Sequence, residues 1–268
     1  MRKPWWSFTR RDPVVGLALS GGAVRGAAHC GVLAVLDEHR IPIDVIVGTS
    51  AGAMAGAAYA SGMAPIEMAG QLQELSWPRL VRPVLPGKRA LFSTTPFAEL
   101  LADRLGGATF RDLDVPFVAV ACDVLTGERV LLSEGDVATA VQASMAIPGV
   151  FTPIEWGDHL LIDGGTVATY PVDVPPLFGA TRVIGVDVGA SLQPVPPSNP
   201  VDLLLAAAEI AARQGERGRA DVDIEPDVGE FSSFSFKSVP ELVERGRSAA
   251  EAALPAILDL VGSRRRGG

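Results

Sequence analysis

Ser50 stands in Gly48-Thr49-Ser50-Ala51-Gly52, a G-x-S-x-G run between the apolar stretch Asp44–Gly48 and a Gly/Ala stretch that ends near Ala60. A strand that turns sharply into a helix needs residues of little bulk beside the turn, and Gly48 and Gly52 supply them. Such a turn lifts the serine hydroxyl out of the sheet at a helix N-terminus, where backbone N–H groups stabilise developing negative charge. A plain N-cap serine is the other reading; the strand before it and the small-residue helix after it favour a nucleophile. A second motif, Asp163-Gly164-Gly165, follows the apolar run Leu160–Ile162. Alone it is a turn; after a strand it is also a candidate base. A third, Ser20-Gly21-Gly22-Ala23-Val24-Arg25-Gly26, follows the apolar run Val14–Leu19. Its glycines permit close backbone approach, and N–H groups leading into a helix form an anion site. A tight turn fits it too. A dinucleotide loop fits less well: Ala23 occupies the second Gly of G-x-G-x-x-G, and the next strand ends in Gly-Thr-Ser with no acidic residue.

A serine nucleophile needs a base. His29 falls inside the helical stretch after the glycine loop, His39 at the end of that stretch, and His159 just before the run at Leu160. None follows a late strand, where a hydrolase triad places its histidine. Packing suits His29, and a helix C-terminus suits His39. A Ser50–Asp163 pair is the better expectation. The aspartate must accept a proton, so burial would raise its pKa and a nearby cation would lower it.

Elements must bring these motifs together. Short apolar runs at 14–19, 44–48, 116–122, 128–132, 160–162 and 182–188 read as strands. Stretches at 27–39, 51–60, 65–75, 96–105, 136–145, 201–213 and 240–261 read as helices, the last interrupted by Pro255. Alternating strands and helices imply an α/β fold, three-layer α/β/α, with a mainly parallel central sheet covered on both faces. In such a sheet the carboxyl ends of the strands share one edge, where ligands bind. The glycine loop, Ser50 and Asp163 all follow strands, so they are expected to converge there.

The chain of 268 residues has a net charge of −8 and is 48% hydrophobic, too apolar for a disordered chain and large enough for one core. The acidic balance argues against a nucleic-acid partner. Two cysteines, Cys30 and Cys122, exclude a disulfide scaffold, and three histidines make a His-rich metal centre improbable. Residues 1–12 differ in composition: Arg2, Lys3, Arg10 and Arg11 surround Trp5, Trp6 and Phe8. They read as a frayed terminus or as an interfacial anchor. Residues 263–268 form a basic C-terminal tail, leaving 13–262 as the body. The N-terminus has no apolar core of a secretory signal, and the Val45–Ala64 run is punctuated by glycines, so a cytoplasmic protein with no membrane span is expected.

Leu19–Leu33, Gly48–Gly52, Ala143–Ile154 and Asp163–Gly165, taken together and in this order, resemble the patatin-like phospholipases, and are similar to bacterial members related to the catalytic domain of neuropathy target esterase. The resemblance covers residues 14 to 260. It implies a lipid acyl hydrolase of the phospholipase or lysophospholipase type, with a Ser–Asp dyad and no metal or cofactor. It makes Ser50 the nucleophile and Asp163 the base, with Gly48 and Gly52 in the elbow and Gly164 and Gly165 in the base loop. Gly21, Gly22, Ala23 and Val24 would form the oxyanion hole, with Arg25 and Gly26 completing the loop. Arg25 would hold the loop's shape or face anionic lipid. Two positions depart from the pattern: Ala23 stands where the family has Gly, and no Asn occurs near Ala168 or Thr169. The partner implied is a lipid ester, with the stretches Trp77–Leu85 and Phe92–Phe97 as an acyl-chain entrance or as ordinary core. The oligomeric state stays open. A small-ester or thioester hydrolase with the same dyad, and a catalytically silent lipid-binding or regulatory module, are the alternatives.

Overall fold

The computed structural model describes residues 13–85, 89–190 and 218–262, together with positions 203 and 210. In chain order it runs β1 (Val15–Leu19), α1 (Ala28–Glu38), β2 (Val45–Thr49), α2 (Ala51–Ala60), α3 (Pro65–Gln73), α4 (Trp77–Leu80), β3 (Arg82–Pro83), β4 (Ala90–Ser93) and α5 (Thr95–Arg104). It continues with β5 (Phe117–Asp123), β6 (Arg129–Leu132), α6 (Val137–Ser144), β7 (Gly149–Phe151), β8 (Ile154–Trp156), β9 (His159–Asp163), β10 (Arg182–Val186), β11 (Val222–Ile224) and α7 (Val239–Gly262). The fold is α/β in three layers, with a central sheet in the order β11-β10-β1-β2-β5-β9-β8 and β6 paired to β5. From β11 to β5 every pairing is parallel, while β6, β8 and β9 join antiparallel.

The central strands are buried throughout because helices and turns cover both faces. Successive side chains point to opposite faces. Leu17, Leu19, Ile46, Ala119 and Ala121 join one core with α1, α2, α6 and α7. Val45, Val47, Val118 and Val120 pack on the other side with Val174, Phe178 and Ala180 around a 3-10 turn at Pro175–Phe178. Helices α1 and α7 lie backbone against backbone: a Cβ at Gly31 would strike the Val243 carbonyl, and one at Gly246 the Ala28 carbonyl. A bidentate Arg247–Glu38 pair, at 2.9 and 2.6 Å, ties their exposed flanks.

One strand reverses the simple parallel expectation. On β5, Val120 pairs with both Thr49 of β2 and Leu131 of β6, so those two strands occupy opposite edges. Ala121 pairs with both Val130 of β6 and Asp163 of β9, which puts β9 on the same edge as β2. Strand β2 runs parallel to β5 and β9 antiparallel to it, so their carboxyl ends meet head to head opposite Val120 and Ala121. Asp163 therefore reaches Ser50 from the opposite direction along the same edge of β5, not from the shared carboxyl ends of parallel strands.

Helix α7 also differs from expectation, running unbroken through Pro255. The carbonyl that this proline leaves without a donor belongs to Glu251, an exposed residue that water can serve. A second small sheet, β3-β4-β7, adds to the central one. The helix read at 201–213 lies outside the described residues except at positions 203 and 210, both helical and exposed, and the two basic tails lie outside them entirely.

Candidate active site

Ser50 is the hinge between β2 and α2, with φ 53° and ψ −116°. A serine in that left-handed region is strained by about 1–3 kcal/mol, and such a conformation persists only where neighbours hold it. Several do. Ser50 N–H donates to Ser144 Oγ at 2.9 Å, and the Ser144 hydroxyl donates to the Val120 carbonyl at 2.6 Å. Thr49 Oγ1 donates to the Ala168 carbonyl at 2.8 Å, binding the elbow to the loop after Asp163. Gly52 allows the first turn of α2 to pass so near the end of β1 that any Cβ there would strike the Leu19 carbonyl.

The hydroxyl held in this way donates to Asp163 Oδ2 at 2.7 Å. The other carboxylate oxygen accepts the Gly165 N–H at 2.7 Å. Both side chains are buried. Burial pushes the Asp163 carboxyl up to about 6, against the opposing pull of its bonds from Gly165 and Ser50. Gly164 permits the close turn under this carboxylate, since a Cβ would meet the Val120 carbonyl. Thr169 supports the base loop where the expected asparagine is missing: its Oγ1 donates to the Gly165 carbonyl at 3.0 Å.

The glycine loop lies across from this pair. Gly21 N–H donates to the Thr169 carbonyl at 2.9 Å, Val24 N–H to the Ser233 carbonyl at 3.1 Å and Arg25 N–H to the Gly22 carbonyl at 3.1 Å. Among the described residues, the N–H groups of Gly22 and Ala23 have no protein acceptor. Of the four donors expected, two consecutive ones are thus open to a ligand. Ala23 adopts φ 49°, so it takes the glycine-like conformation despite its methyl group. Arg25 is buried beneath the loop, and its Nε lies 3.5 Å from the Gly22 carbonyl. Gly26 begins the path into α1.

Ser50, Ala23 and Ile147 are shared by two adjoining cavities. One, of about 780 Å³ including its mouth, is walled by apolar side chains such as Met54, Leu80, Phe97 and Val239. Trp77 braces its wall, with Nε1 donating to the Phe234 carbonyl at 2.9 Å and its ring 5.4 Å from that of Phe236 and 6.5 Å from that of Phe151. The stretches Trp77–Leu85 and Phe92–Phe97 contribute Trp77, Leu80, Val81, Thr94 and Phe97 to this wall. The second cavity is the more polar of the two and is lined by Asp163, Arg25, Thr166, Thr169 and the glycine loop.

The histidines stand apart from both cavities. His29 Nε2–H donates to the Ser20 carbonyl at 2.9 Å, and full burial pushes its pKa down to about 4, leaving it neutral. It fixes the entry to the glycine loop. His39 caps α1, and His159 Nδ1 lies 3.0 Å from Asp123 Oδ2. Sequence reasoning gave no role to Ser144, Thr49, Thr169 or Ser233. Ser144 falls within the Ala143–Ile154 motif, but its type did not set it apart from Thr139 and Gln142 of the same helix.

A strand-to-helix serine paired with a carboxylate rather than an imidazole, on a mainly parallel sheet, marks out a small class of α/β proteins. Comparison with known sequences identifies the branch, for the model of the patatin-like phospholipases matches residues 17–175 and the chain belongs to that family. An NTE family protein of Mycobacterium bovis is 33% identical over 92% of this chain and 47% of its own length. Neuropathy target esterase sws of Drosophila melanogaster is 31% identical over 66% of this chain and 13% of its own. The chain therefore spans about half the length of its mycobacterial relative and far less of the fly protein. Two solved structures share the fold: VipD from Legionella pneumophila (TM-score 0.55, 16% identity, 94% of this chain and 67% of that one) and the type III effector protein ExoU (TM-score 0.54, 18% identity, 91% and 53%).

Proposed function

We propose that the protein is a lipid acyl hydrolase that cleaves carboxylic esters of phospholipids or lysophospholipids with Ser50 as nucleophile and Asp163 as general base. The observation that carries this reading is the 2.7 Å bond from Ser50 Oγ to Asp163 Oδ2 at the meeting point of an apolar cavity and a more polar one. The acyl chain lies in the apolar cavity and the head group in the more polar one. As Ser50 Oγ attacks the ester carbonyl, its proton passes to Asp163, whose raised proton affinity suits a base working near neutral pH. The carbonyl oxygen becomes an oxyanion held by the N–H groups of Gly22 and Ala23. Asp163 returns the proton to the departing alcohol or lysolipid oxygen. A water molecule then gives its proton to Asp163 and attacks the acyl-serine; the carbonyl-carbon bond to Oγ breaks, Asp163 returns the proton to Ser50 Oγ and the fatty acid leaves. The family membership and the NTE relatives support the lipid substrate.

The test is labelling by a fluorophosphonate probe, followed by hydrolysis of a panel of phospholipids, lysophospholipids and p-nitrophenyl esters of graded chain length. Wild-type protein is expected to label at Ser50 and to favour long acyl chains. Ser50→Ala is expected to abolish labelling and turnover, and Asp163→Asn to reduce both by several orders of magnitude. Full turnover in Ser50→Ala would overturn the assignment. Preference for acetyl or butyryl esters would move the reading to a small-ester hydrolase.

A further inference from the structure

Residues 76–98 contain four basic side chains, Arg79, Arg82, Lys88 and Arg89, and no acidic one, in a chain whose net charge is −8. This stretch supplies α4, β3, β4 and the first residues of α5, so its inner side is a wall of the apolar cavity. Its outer side is of another character. Arg79, Arg82, Pro83 and Arg89 are exposed, and so are two large apolar residues, Leu85 at 77% and Leu91 at 53%. Val84 N–H donates to the Leu91 carbonyl at 3.0 Å, which brings Leu91 opposite Val84 and so places both leucines at the same end of the β3–β4 pair. Among the described residues, Arg79, Arg82 and Arg89 have no carboxylate partner; Arg79 reaches the Glu74 carbonyl at 3.4 Å.

Exposed leucines flanked by unpaired cations are costly to leave in water and well matched to one surface. Cations near an anionic membrane are drawn to its head groups, and apolar side chains enter the head-group/acyl boundary. We propose that the β3–β4 pair with α4 is the face by which the protein docks on an anionic phospholipid bilayer, an inference that rests on the hydrolase reading for its purpose but not for its detection. The inner side of the same stretch, at Trp77, Leu80, Val81, Thr94 and Phe97, walls the apolar cavity, so docking there lets an acyl chain pass from the bilayer towards Ser50 without crossing water. The rest of the described residues are acidic on balance and are repelled by the same bilayer, which turns this face towards it.

Flotation of the full chain with vesicles tests the inference separately from catalysis. The probes are vesicles of pure phosphatidylcholine and vesicles containing phosphatidylglycerol. Wild-type protein is expected to bind the anionic vesicles at least tenfold more strongly, and to lose that preference in high salt. Neutralising three cations in Arg79→Gln/Arg82→Gln/Arg89→Gln is expected to weaken binding about a hundredfold. Leu85→Ser/Leu91→Ser is expected to weaken it at least about tenfold on both kinds of vesicle. Both variants should hydrolyse a water-soluble short-chain ester at the wild-type rate, which reports an intact fold and site. Wild-type affinity in the two variants would overturn the docking face and point to another contact, such as the N-terminal tail. Indifference of the wild type to lipid charge would also overturn it. Failure of the hydrolase reading would appear instead as absent turnover of the soluble ester with vesicle binding intact.

Discussion

Asp163 accepts bonds from Ser50 and from the Gly165 N–H, and burial outweighs the pull of both on its proton affinity. Two measurable consequences follow from a pKa moved from 3.8 to about 6. Only the ionised carboxylate accepts the Ser50 proton. The kcat/KM of a soluble ester is therefore expected to fall tenfold per pH unit below about 6 and to level off above it. A profile flat down to pH 4.5 would remove Asp163 as the base. The second consequence concerns stability. A carboxyl whose folded pKa lies above its unfolded value favours folding most below 3.8, and this advantage is lost as pH rises through 6. Above that window the ionised side chain costs about 3 kcal/mol relative to the unfolded chain. Asp163→Asn keeps the shape and drops the charge, so the variant is expected to melt higher than wild type at pH 8 and no higher at pH 4. Calorimetry at the two pH values, beside the loss of turnover, shows whether the same residue limits stability and supports chemistry.

At the scale of elements, the site exists because β2 and β9 end against each other along one edge of β5. The strand-to-helix serine was readable, since an apolar run, three small residues and a Gly/Ala helix allow little else. The direction of β9 was not. A three-residue apolar run carries no mark of polarity, and the β8–β9 hairpin that reverses it turns at Gly157-Asp158, between strands too short to show a period. The pairs β3–β4 and β4–β7 were missed for the same reason, and Pro83 hid the first of them. The glycine loop could be located from its residues, but which N–H groups remain open depends on carbonyls at Thr169 and Ser233, far away in sequence. Ser144, at the end of α6, joins three elements: it accepts from Ser50 after β2 and donates to Val120 of β5. Replacing it with Ala leaves a buried N–H and a buried carbonyl unpaired, each worth about 1–3 kcal/mol, and removes a restraint on the strained elbow. Ser144→Ala is expected to slow fluorophosphonate labelling and kcat at least about tenfold with KM within about twofold, because the bond orients Ser50 rather than the lipid. Labelling at the wild-type rate in a variant with a lowered melting temperature would make Ser144 a packing residue only.

Over the whole molecule, the most distant parts of the chain converge on the same loop. Val24 N–H is held by the Ser233 carbonyl, Gly21 N–H by the Thr169 carbonyl, and the helix that follows the loop, α1, is clasped by α7 near the C-terminus. The loop thus takes its form from contacts with residues more than 140 positions away, and α7 acts as the brace behind it. The brace depends on backbone contact at Gly246, which any side chain would wedge apart against the Ala28 carbonyl. Gly246→Leu is expected to destabilise the fold by about 3 kcal/mol, lowering Tm by about 5–10 °C. Its effect on chemistry separates a brace from a bystander. If α7 sets the loop, turnover measured well below the new Tm falls together with stability, since α1 shifts under Gly22 and Ala23. A variant of unchanged kcat and lowered Tm would mean that the loop is shaped by Thr169 and Ser233 alone.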